Sequence, residues 1–131
     1  MEIQLKILGL LYIVLAGIHI FFPKYFNWAE ELKPLSLINR QMMQVHTFFI
    51  GLTVFGMGLL NVFYANELAN TDFGRIICFG LFVFWGIRMI IQFFVYSSEL
   101  WKGKKFETSM HILFSFIWIY CTLVYFFAWK G

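Results

Sequence analysis

Charge is scarce in this sequence. Only 13% of its 131 residues are Asp, Glu, Lys or Arg, against roughly 25% in a water-soluble domain. A chain with so little charge cannot clothe a soluble fold, which excludes a cytosolic globular protein. Long polar insertions are also missing, so residues 1–131 read as a single domain. Clustered Arg/Lys faces interleaved with exposed aromatics are absent, which removes nucleic acid as a partner. Cysteine is limited to Cys78 and Cys121. They lie in separate hydrophobic stretches, form no CxxC, and read as small buried hydrophobes.

Motifs that would announce a known chemistry are missing as well. There is no GxSxG, no carboxylate dyad and no glycine pattern of a Rossmann or phosphate-binding loop, so hydrolase and nucleotide chemistry have no support. HxxH, HExxH and ExxH pairs do not occur. The N-terminus has Glu2 and one Lys6 but neither a basic leader region nor an AxA-like cleavage site, so its first hydrophobic stretch is expected to stay as a helix.

Apolar residues fill the space these absences leave. They make up 61% of the chain, with 18 phenylalanines and 22% aromatics overall. Four hydrophobic stretches stand out, at about 3–22, 37–64, 73–100 and 107–129. About 20 residues at 1.5 Å each cross a hydrocarbon layer near 30 Å thick. The expected fold is therefore all-α, an integral membrane up-and-down bundle of four transmembrane helices. Between the first two lies KYFNWAEELKPLSLI (24–38), where Asn27 suits a cap and Pro34 a stop. Tyr25, Phe26 and Trp28 mark it as a short interfacial amphipathic segment. The same segment could serve as a lid over a site.

The third stretch carries the most costly residue. Arg88 sits near its middle, and an arginine there costs about 2.5–3.5 kcal/mol on insertion scales. Trp85, Arg88, Gln92, Tyr96 and Glu99 recur at steps of three and four, which predicts one continuous helical face. His111, Ser115, Trp118, Thr122 and Tyr125 do the same on the fourth helix. On the second, His46, Phe49, Thr53 and Gly56 predict an inward stripe beginning after the Ser36 N-cap. On the first, Tyr12, Ala16 and His19 share a face, and Gly9 and Gly17 would allow close approach of another helix.

Loop charge sets the orientation. Lys24, Lys33, Arg40, Lys102, Lys104 and Lys105 fall on one side, and Lys6, Arg75 and Lys130 on the other. Six against three places the 23–40 and 100–106 connections in the cytoplasm and both termini away from it. A bacterial inner membrane is the expected location. His19, His46, Arg88, Gln92 and His111 then all lie in the cytoplasmic half, one or more on each helix. They predict a polar pocket walled by Tyr12, Trp85, Tyr96, Trp118 and Tyr125.

Three chemistries fit such a set. The first is binding, with or without chemical processing, of a lipophilic molecule with an anionic or polar head. Arg88 would meet a carboxylate, phosphate or quinone-like oxygen, Gln92, His19, His46 and His111 would add directional hydrogen bonds, and Trp85, Tyr96 and Trp118 would hold the apolar body. If catalysis occurs, His46 or His111 is the acid or base and Arg88 stabilises negative charge. The second is a metal or haem held by His19, His46 and His111. The third is a structural or proton-conducting subunit of a homo-oligomer or membrane complex.

Overall fold

The computed structural model describes every residue, Met1–Gly131, and contains helices and turns but no strand. Its elements are α1 (Glu2–Tyr25), α2 (Trp28–Glu31), α3 (Leu37–Phe63), α4 (Ala65–Asn70), α5 (Asp72–Phe94), a 3-10 turn at Ser98–Leu100, and α6 (Lys105–Lys130). Helices α1, α3, α5 and α6 are each long and apolar enough to cross a membrane. The chain is an all-α membrane protein. It divides into two compact units, Ile3–Ala65 and Asn66–Gly131, the latter including residues 1–2.

The first unit is a helical hairpin closed on glycine. A Cβ on Gly9 would lie 2.8 Å from the Gly58 carbonyl oxygen, and one on Gly58 would lie 2.8 Å from the Gly9 carbonyl oxygen. Backbones this close leave room for nothing larger than hydrogen. Further along, Gly51 of α3 faces Ala16 and His19 of α1, so the two helices run antiparallel. α1 does not stop at Pro23 as its sequence suggests but continues to Tyr25. Proline there removes only one donor, in the final turn. The reversal comes instead at Asn27, whose φ of 54° is left-handed, a conformation asparagine tolerates. The expected interfacial segment follows as the single turn α2, with Trp28 buried and an exposed Glu30–Lys33 ion pair at 3.0 Å.

α3 starts as expected, with Ser36 Oγ accepting from the Asn39 N–H. Its buried residues are Gly51, Val54, Gly58 and Asn61. The stripe His46, Phe49, Thr53 and Gly56 is exposed along its length, and a Cβ on Gly56 would meet nothing within 4 Å. The inward reading of that stripe is corrected. Close backbone approach at Gly51 and Gly58 fixes which face packs, and this turns the polar and aromatic residues outward.

The second unit opens with α4. Thr71 joins α4 to α5 by two bonds. Its hydroxyl donates to Glu67 O at 2.6 Å and accepts from the Gly74 N–H at 2.9 Å, capping α5. Thr71→Ala should cost about 1–2 kcal/mol, the usual worth of such a cap. Thermal unfolding in micelles would register it; a change below about 0.3 kcal/mol would mean that the cap is idle.

α5 and α6 also run antiparallel. Phe79 meets Trp129 at 4.8 Å between ring centroids, Phe82 meets Phe126 at 5.5 Å, and Trp85 stacks on Trp118 at 5.2 Å. Ser115, Trp118, Thr122 and Tyr125 are buried, as their spacing implies, and so are both cysteines, neither in a disulfide. α5 ends at Phe94 rather than Leu100. Ser97 Oγ accepts from the Glu99 N–H at 3.2 Å. That offers the backbone a turn in competition with the helix. Glu99 therefore leaves the stripe that its spacing predicts.

Candidate functional site

The residues singled out by sequence fall in two places, one within each unit. In the Asn66–Gly131 unit, Trp85, Arg88 and Gln92 of α5 come together with His111, Ser115 and Trp118 of α6. Gln92 is the hub and is buried, with 5% of its surface exposed. Arg88 Nη1 donates to Gln92 Oε1 at 3.2 Å. Because a guanidinium has only donors, this fixes the amide orientation. Gln92 Nε2 then donates to His111 Nδ1 at 3.0 Å, with longer contacts to His111 O and Ser115 Oγ. The accepting nitrogen of a neutral imidazole carries no hydrogen, so the His111 proton sits on Nε2. Ser115 completes the chain by donating to His111 O at 2.7 Å.

Aromatic faces hold the charged end. The Arg88 guanidinium lies 4.9 Å from the Trp118 ring centroid and 5.3 Å from that of Tyr96. Although Tyr96 lies beyond the end of α5, it reaches back to the arginine eight residues earlier. Each such contact is worth about 0.5–2 kcal/mol, depending on desolvation. With one charge-assisted hydrogen bond of about 1.5–3 kcal/mol, they match the insertion cost of the residue. The site can therefore fold around Arg88 unaided. What these contacts do not supply is an opposite charge. The ion pair between Glu30 and Lys33 is the only one in the chain, and Arg88 spends one hydrogen bond where a guanidinium has five N–H donors.

One member of this site is not visible in sequence spacing. Trp101, the first residue of the WKGKKF loop, stacks on His111 with ring centroids 3.7 Å apart and planes 13° apart. Its carbonyl accepts from the Thr108 hydroxyl at 2.6 Å, which pins the loop to the first turn of α6. The only sequence signal was an aromatic at a membrane exit, which also fits an interface anchor.

In the Ile3–Ala65 unit, His19 lines a groove between α1 and α3. His19 Nδ1 donates to Leu15 O at 2.7 Å, and its ring lies 4.7 Å from that of Phe22. His46 is exposed on α3 and does not line the groove. Tyr12 and Tyr125 are fully buried, each in its own unit. Within neither unit do three His, Cys, Asp or Glu side chains gather as metal ligands. A metal held by three histidines thus gains no support within either unit.

The chain matches no known protein family, no curated protein and no solved structure. Its function rests on this geometry.

Proposed function

We propose that the protein binds a lipophilic molecule with an anionic head through the Arg88 cluster, in the cytoplasmic leaflet of a bacterial inner membrane. One observation carries the reading: a half-buried arginine in a membrane span, held by two aromatic faces and a neutral amide, with no carboxylate as partner. Hydrocarbon penalises unused donors by several kcal/mol each. A carboxylate or phosphate oxygen satisfies them and neutralises the charge at once. His111 presents Nε2–H as a second donor, fixed by Gln92. The exposed lysines Lys102, Lys104 and Lys105 draw anions to the adjacent surface, and the excess of cations around 23–40 and 100–106 supports a cytoplasmic side for these connections, with both termini opposite.

The unspent donors of Arg88 and the Nε2–H of His111 suit holding an anion, while the basic nitrogen of His111, Nδ1, is occupied by Gln92. Binding therefore stands ahead of catalysis. Oleate is a suitable probe, with methyl oleate as its uncharged control. Oleate should bind in nanodiscs more tightly than the ester, and Arg88→Leu should weaken it about tenfold to a hundredfold, the worth of a charge-assisted hydrogen bond. Equal binding of acid and ester, or of wild type and variant with matching helical circular dichroism, would rule the reading out.

A further inference from the structure

We infer that the Ile3–Ala65 unit carries a second, independent site, a groove that takes a single long-chain lipophile ending in a hydroxyl. The groove lies between α1 and α3, has a volume of about 470 Å³, and so falls within the ~300–1,000 Å³ range of small-molecule sites. Its walls change character along their length. Ile13 and Phe55 line one end. Towards the other end come His19, Thr47 and Gln44, and there Pro23 and the buried Trp28 complete the lining. An apolar chain and a polar head are matched in that order, with the head towards the α2 turn at the interface.

The polar end selects the head. His19 Nδ1–H is committed to Leu15 O, so in the neutral ring Nε2 is an acceptor without a hydrogen-bond partner. It asks for a donor. Thr47 and Gln44 can each give or take a hydrogen bond. No lysine or arginine lines the groove, so a carboxylate or phosphate would enter without a counter-charge, at a cost that hydrocarbon makes large. A hydroxyl gives its proton to His19 and accepts from a neighbour. Gly51 makes the space: a Cβ there would lie 3.2 Å from His19 Cβ, tighter than ordinary contact, and a longer side chain would press on the imidazole.

Hexadecan-1-ol carrying a photoactivatable diazirine on its chain tests this on the full protein in phosphatidylcholine nanodiscs, with labelled peptides mapped by mass spectrometry. Labels should fall on the segments around 13–20 and 44–55, and unlabelled hexadecan-1-ol should compete where hexadecane and palmitate do not. His19→Phe keeps the ring and removes both nitrogens; it should weaken labelling about fivefold, the worth of one neutral hydrogen bond. Leu52→Trp narrows the groove from an exposed position on its wall and should abolish labelling with His19 intact. Arg88→Leu should leave it unchanged. Competition by hexadecane as strong as by the alcohol, or wild-type labelling of His19→Phe, would reduce the groove to a surface for lipid tails and overturn the proposal. Loss of labelling in Arg88→Leu would overturn its independence.

Discussion

Gln92→Leu should destabilise the protein by about 2–5 kcal/mol, the largest loss from any single polar substitution in the α5–α6 hairpin. Leucine fills much the same volume, so the effect does not come from a cavity. It comes from two groups stranded at once. Arg88 loses the only oxygen it bonds, and His111 Nδ1 loses the amide that donates to it. Each buried polar group left without a partner costs about 1–3 kcal/mol, more when charged. The midpoint of unfolding in dodecyl sulfate titrated into mixed micelles reads the loss directly. A shift equivalent to less than about 0.5 kcal/mol would show that Gln92 is a bystander. Gln92→Glu separates folding from binding. Its carboxylate pairs with Arg88 from within, and its second oxygen accepts from His111 Nδ1 once that ring moves its proton there, so stability should fall less than in Gln92→Leu while oleate binding falls about tenfold or more, because the ligand now competes with a fixed anion for a charge-assisted bond. Oleate binding unchanged in Gln92→Glu would mean that the guanidinium is not where the head group docks.

Much of this hub was legible in the sequence because it obeys the helical repeat. Trp85, Arg88 and Gln92 share a face at steps of three and four, as do His111, Ser115 and Trp118, and both faces meet in one hairpin. The direction of the hydrogen bonds was not legible. It depends on which end of the Gln92 amide faces Arg88, and that decides the His111 tautomer only once the helices are paired. Trp101 was missed for a different reason. Its stacking on His111 requires α5 to stop at Phe94 and the chain to fold back through the Ser97 turn, whereas the three- and four-residue spacing through Tyr96 and Glu99 argued for a helix up to Leu100.

α3 failed more instructively. His46, Phe49, Thr53 and Gly56 make a convincing stripe if polarity is what turns a membrane helix inward. In this hairpin backbone proximity at Gly51 and Gly58 does so, and lipid tolerates the threonine and glycine left on the outer face. The shared face of Tyr12, Ala16 and His19 was readable on α1 alone. The groove beside His19 was not, because half of its wall belongs to α3 and its end to the Trp28 turn.

That contrast gives the second large effect. Gly58→Leu should cost at least about 3 kcal/mol, at the upper end of what overpacking a core costs, while Gly56→Leu, two positions away on the same helix, should stay within about 0.5 kcal/mol. Composition, hydropathy and helix propensity change identically in the two variants, so those factors cancel. Only the surroundings differ. A Cβ at position 58 would sit 2.8 Å from the Gly9 carbonyl oxygen and 2.9 Å from Ile13 Cγ1, whereas at position 56 it would meet open space. A side chain end can rotate away, but the Gly9 carbonyl belongs to the α1 backbone, so the two helices must separate along their length. Separation also widens the groove at Gly51, which lies on the same seam, so labelling by the diazirine alcohol should fall in Gly58→Leu and persist in Gly56→Leu. Dodecyl sulfate titration of the pair measures the first effect and cross-linking the second. Equal costs for the two leucines would show that the hairpin does not pack through its glycines, and the groove described between α1 and α3 would lose the contact that sets its width.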